Sequence, residues 1–109
     1  MTHPSKQKGN RAEREIVDLH KEINVPCVRV PLSGAVGGDF SGDLRIGSGP
    51  PGDIRWCAEV KARANGQGFV TLEKWLGKNE MLFLRRDRAK PLVVLPWEIY
   101  AKLIQRFTS

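Results

Sequence analysis

Glu59-Val60-Lys61 is the only place in the chain where an acidic residue stands two positions before a lysine. Residues two apart on a strand project from the same face, so on extended backbone this carboxylate and ammonium lie side by side. Two chemistries fit such a pair. The plainer is an exposed salt pair worth roughly 0 to 1 kcal/mol. Seven glutamates and eight lysines in 109 residues make one such triplet unsurprising by chance. The sharper is half of a site for phosphodiester hydrolysis, which needs a second carboxylate nearby.

Asp43 is the candidate. If "GDLRI" and "DIRWCAEVK" form the arms of a hairpin, Asp43 and Glu59 meet at neighbouring strand positions. Carboxylates that close repel one another unless a cation or a proton lies between them. Magnesium suits the position because it takes oxygen ligands and keeps several waters that a substrate can displace. Lys61 would then hold the scissile phosphate or orient a metal-bound water, whose lowered pKa supplies hydroxide near neutral pH. Glu13 is a third candidate, beside Ile16 and one turn before Val17 on a helix whose apolar stripe it borders, so it leans toward the sheet. On periodicity alone it reads equally well as a surface glutamate. Asp39 and Asp53 are rivals of Asp43 for the ligand role.

The elements that must position these residues follow from spacing. Ala12, Ile16, Leu19 and Ile23 recur at helical intervals, predicting a helix from Lys8 to about Ile23 that Pro26 stops. "CVRVPL" predicts a short strand with Val28 and Val30 on one side and Arg29 on the other. The stretch "SGAVGGDFSGDLRIGSGPPGD" holds seven of the eleven glycines and predicts a loop interrupted by a strand over Asp43 to Ile46, with a turn at "GSGPPG". Ile54, Trp56, Ala58 and Val60 alternate with Arg55, Cys57, Glu59 and Lys61, which predicts a strand with the first set in the core.

Beyond "NGQG", Thr71 is a candidate N-cap for a helix carrying Leu72, Trp75 and Leu76. "MLFLRR" and "PLVVLP" predict consecutive strands, and Pro96 opens a last helix with a stripe of Ile99, Leu103 and Phe107, widened by Tyr100 and Ile104. The expected fold class is α/β or α+β, a mixed β-sheet flanked by helices in one domain spanning residues 1–109.

Composition narrows the setting. The chain has 40% hydrophobic and 28% charged residues, a globular balance. Its N-terminal stretch lacks the apolar core of a signal peptide and no run is long enough to cross a bilayer, so the expectation is a cytoplasmic protein without membrane partners. Cys27 and Cys57 have no Cys or His at zinc-finger spacing and read as reduced, partly buried thiols. The net charge of +6 favours a polyanionic partner.

A helix glutamate (Glu13), then Gly42-Asp43, then Glu59-Val60-Lys61, in the order helix, strand, strand, strand, helix, resembles the PD-(D/E)xK nuclease superfamily. Within it, "KGNRAERE", "VRVPLSGA", "GDLRI" and "AEVKAR" look like the archaeal-type Holliday junction resolvases and their bacterial and phage-borne relatives, over roughly Lys8 to Leu95. The resemblance implies a restriction-endonuclease-like fold and a homodimer that hydrolyses branched DNA with Mg2+, for which Mn2+ substitutes. It implies a metal held by Asp43, Glu59, the Val60 carbonyl and Glu13, with Lys61 catalytic and Ser33 near DNA phosphates. Two departures stand out. The proline usually found before the first acidic residue is Gly42 here, and the segment from Glu73 to Arg88 lacks a glutamine that some relatives carry.

Lys8, Arg11, Arg29 and Arg63 are candidate phosphate contacts, as is the Arg85, Arg86, Arg88 and Lys90 cluster; the plainer reading is a solvated basic surface. Two cuts in a junction call for two active sites, which a twofold dimer supplies. Trp75, Phe83, Leu84 and Trp97 are candidate interface residues, or simply core. Alternatives within reach of the same sequence are a nuclease acting on flaps, nicks or duplex, and a basic nucleic-acid-binding module whose carboxylates are structural. Whether the host is a cell or a virus is left open by the sequence.

Overall fold

A computed structural model of the chain describes residues 4–30, 42–47 and 56–108. Helix α1 (Pro4–Glu22) leads into strand β1 (Cys27–Arg29), then β2 (Leu44–Ile46) and β3 (Trp56–Ala58). Helix α2 (Phe69–Leu76), strands β4 (Leu82–Leu84) and β5 (Leu92–Val94), and helix α3 (Trp97–Thr108) follow. The content is mixed α/β. No described helix is long and apolar enough to cross a membrane.

The contacts divide the chain into two compact units, residues 1–62 with 104–109, and residues 63–103. In the first, β1, β2 and β3 form an antiparallel sheet in that order, and α1 packs on β1. Its core is Val25, Cys27, Leu44, Ile46 and Ile104, with His20 the one buried polar residue among those described. The His20 imidazole is accommodated because Nδ1 donates to the Ile16 carbonyl one turn earlier, at 2.7 Å. Trp56 meets Phe107 edge-on, centroids 6.3 Å apart. The Gln105 side-chain amide donates to the Ile23 carbonyl at 3.1 Å.

Helix α1 ends on a Schellman motif. Asn24 takes the left-handed conformation (φ 61°), its N–H donates to the Lys21 carbonyl, and the Val25 N–H donates to the His20 carbonyl. Val25 then enters the core, and Pro26, two residues after the helical turn closes, prevents resumption.

In the second unit β4 and β5 form a hairpin with Leu84 opposite Leu92. Every described strand pairing is therefore antiparallel, and the expected single mixed sheet is replaced by two small antiparallel sheets. For β4 and β5 the reason is connection length: a parallel partner needs a crossover of a dozen or more residues, and only seven join them.

Four sequence expectations are corrected. Val28 is 59% exposed while Cys27 and Arg29 turn inward, the reverse of the expected phase of β1. Arg29 tolerates the inner face because α1 satisfies its guanidinium. Helix α2 starts at Phe69 with Gly68 as N-cap, two residues before Thr71, because the Gly66 carbonyl already accepts from Phe69 and Val70. On α3, Ala101 and Ile104 are buried whereas Leu103 and Phe107 are exposed, so the packed stripe is rotated from the predicted one. Cys57 is exposed as well; both thiols are free.

Candidate functional site

Asp43 lies at a break in the β2–β3 ladder, and Glu59 and Lys61 follow directly on β3. Leu44 pairs with Ala58 in register, yet the N–H of the preceding Asp43 also donates to the Ala58 carbonyl, at 2.7 Å. Two residues of one strand against one of its neighbour make a β-bulge, a device that re-aims a side chain. Gly42 makes it possible. Its φ is +86°, and a Cβ there would stand 2.8 Å from the Ala58 carbonyl oxygen. Only glycine accepts both the left-handed backbone and that approach, and proline, fixed near φ −65°, does not. The glycine at position 42 thus has a local physical cause.

The bulge holds Asp43 on both sides. Its carbonyl accepts from the Val30 N–H at 2.9 Å, extending the β1–β2 register, and its Oδ2 accepts from the Val60 N–H at 2.8 Å. A side-chain oxygen has replaced the backbone acceptor that a regular ladder would offer Val60. The half-buried carboxylate is therefore fixed against Val60 of the neighbouring chain segment. Glu59 follows Ala58 as Asp43 precedes Leu44, so the two acids flank the same residue pair.

Lys61 Nζ lies 3.4 Å from Glu59 Oε1, with the side chains 64% and 54% exposed. As a stability term this is a weak surface pair. As chemistry, it places an exposed ammonium beside an acid within reach of solvent.

Glu13 points toward the sheet, as its position on α1 requires, but its partner is Arg29: Nε donates to Glu13 Oε1 at 3.0 Å, and the other arm of the guanidinium donates to Asn10 Oδ1 at 2.8 Å. The Glu13 side chain is only 16% exposed and Arg29 30%. Sequence reading assigned Arg29 to DNA phosphates; the structure ties it to α1. It also passed over Asn10 and His20. Their signals were available only as polar residues one turn apart from Glu13 and Ile16 on the sheet-facing side of α1.

Arg11 and Arg63 are exposed, Arg63 belonging to the second unit. Lys8 lies in α1 with its side chain outside the described set; Ser33, Asp39 and Asp53 fall outside the described residues, as do Ile54 and residues 48–52 of the "GSGPPG" turn.

Burial pushes the Cys27 thiol above its usual pKa through desolvation. Among the described residues no three or more acidic, histidine or cysteine side chains gather at one point. What the register provides is two carboxylates, Asp43 and Glu59, one on either side of the Leu44–Ala58 pair. Magnesium binds through one or two carboxylates and retains waters, so the donor type and number suit it. No protein-family model, curated protein or solved structure matches the chain.

Proposed function

We propose that the chain is a magnesium-dependent DNA endonuclease with a PD-(D/E)xK, restriction-endonuclease-like fold, acting on branched DNA as a twofold dimer. The observation that carries this reading is the Gly42–Asp43 bulge, which fixes one carboxylate against the segment just past β3 that bears Glu59 and Lys61. A purely structural aspartate has no need of so costly a backbone, since a regular ladder would satisfy the Val60 N–H with a carbonyl.

Asp43 and Glu59 would hold the metal, with the Val60 carbonyl as a further oxygen. The bound ion supplies charge neutralisation at the phosphate and an acidified water. Lys61 leaves Glu59 to hold the scissile phosphate, a small change because the pair is exposed and weakly coupled. Arg29 keeps Glu13 oriented toward the sheet, where the acid orders α1 against β1. The exposed Arg11 and Arg63 contribute phosphate contacts that position DNA without reading its sequence.

The test is cleavage of end-labelled DNA in magnesium, comparing a four-way junction with flap, nicked and linear duplex of matched sequence. Paired symmetric cuts in the junction alone are expected. Cutting of other forms retains the nuclease and removes the junction preference; absence of cutting on every form leaves a nucleic-acid-binding module.

A further inference from the structure

The second unit carries a groove of 730 Å³ that the cleavage chemistry does not use. Trp75 of α2, Phe83 of β4 and Leu92 of β5 line it, and they are 58%, 62% and 69% exposed. Large apolar side chains left this open on a small chain mark a binding surface more often than a packing error. Arg85, Arg86 and Lys90 line the same groove. Among the described residues none of these three pairs with a carboxylate. The hairpin loop from 85 to 91 carries four cations against the single acid Asp87.

Two features say what covers it. Phe83 and Arg85 both line the groove, so a ring and a guanidinium face one concavity. Aromatic faces beside cations that track a backbone are the elements of single-strand nucleic-acid sites, because every unpaired base offers a π-face and every nucleotide a phosphate. A duplex keeps its bases stacked on one another and cannot use the rings. A bilayer engages apolar side chains that protrude, whereas these line a concavity.

We propose that this groove binds unpaired nucleotides of a nucleic-acid strand, bases on Trp75 and Phe83, phosphates on Arg85, Arg86 and Lys90. The site lies wholly within residues 63–103 and does not depend on the nuclease reading.

The experiment is fluorescence anisotropy of a labelled twelve-residue deoxythymidine strand, in EDTA so that no cleavage intervenes, across a salt series. The full chain binds, and Trp75→Phe retains the affinity while Trp75→Leu loses it about tenfold, since stacking needs a ring and not mere apolarity. Both variants keep the fold, checked by circular dichroism, because Trp75 is mostly exposed. An Arg85→Ala/Arg86→Ala variant lowers the magnitude of the log-log salt slope by about 1.4, at roughly 0.7 per phosphate contact, while Trp75→Phe leaves it unchanged. Equal affinity in Trp75→Leu overturns the proposal. So does preference for matched duplex, Trp75-dependent binding to anionic vesicles instead of the strand, or a Trp75-dependent dimer in sedimentation that excludes it.

Discussion

The amide of Val60 donates to the carboxylate of Asp43 at 2.8 Å, a side chain standing where a strand's own carbonyl would normally be. The bond joins stability and chemistry in one residue, and the two can be separated. Asp43→Asn keeps an acceptor oxygen and should cost less than about 1 kcal/mol, whereas Asp43→Ala orphans the Val60 N–H and should cost about 1–3 kcal/mol in urea unfolding. Both should abolish cleavage. If Asp43→Asn cuts DNA normally, the carboxylate is structural only.

Gly42 is the conformational requirement behind that bond. Gly42→Ala forces a Cβ against the Ala58 carbonyl in a left-handed backbone, which alone costs roughly 1–2 kcal/mol. A loss exceeding about 2 kcal/mol is expected, with Gly42→Pro worse because its φ cannot be reached. Thermal unfolding of the two variants checks the order; a neutral Gly42→Ala would show that the bulge is dispensable.

Much of this was legible in the sequence, and what was not had a common cause. The helix over α1, the strands around Cys27, Leu44 and Trp56, and the β4–β5 pair all follow from local periodicity. The β2–β3 pairing, in which Asp43 and Glu59 flank the Leu44–Ala58 pair, followed from supposing a hairpin. The bulge did not, because it depends on a contact between Gly42 and Ala58 that no local pattern encodes. The inward turn of Arg29 was missed for a similar reason: its partners, Asn10 and Glu13, lie 19 and 16 residues earlier. An arginine reads as an outward residue until its partners are known.

That ion pair yields a third prediction. Arg29→Ala leaves the mostly buried Glu13 without its cation and should destabilise by about 1–3 kcal/mol, the partial exposure of Arg29 keeping the figure below that of a fully buried pair. Adding Glu13→Ala should recover part of the loss, with a coupling energy of about 0.5–2 kcal/mol in a double-mutant cycle. Strict additivity would mean that the pair contributes nothing specific.

The two thiols should differ sharply. Cys57 is exposed and Cys27 buried, so a thiol reagent should label one site in the native protein and two after denaturation. Burial raises the folded-state pKa of Cys27 above its unfolded value. The unfolded chain therefore releases this proton first as pH rises, binds fewer protons than the native state, and stability falls above about pH 9. Cys27→Ala should remove that part of the alkaline slope; an unchanged slope would assign it to other groups.

The central claim rests on Glu59 and Lys61, and one measurement bears on it most directly: junction cleavage and junction binding by wild type and Glu59→Gln, side by side in magnesium. Glu59 is more than half exposed, so the substitution should leave the fold intact. The account predicts cleavage reduced at least about a hundredfold with binding within a few-fold of wild type, since the carboxylate holds the metal and the cations hold the DNA. Cleavage by Glu59→Gln at the wild-type rate would contradict it and return Glu59 and Lys61 to an ordinary surface pair.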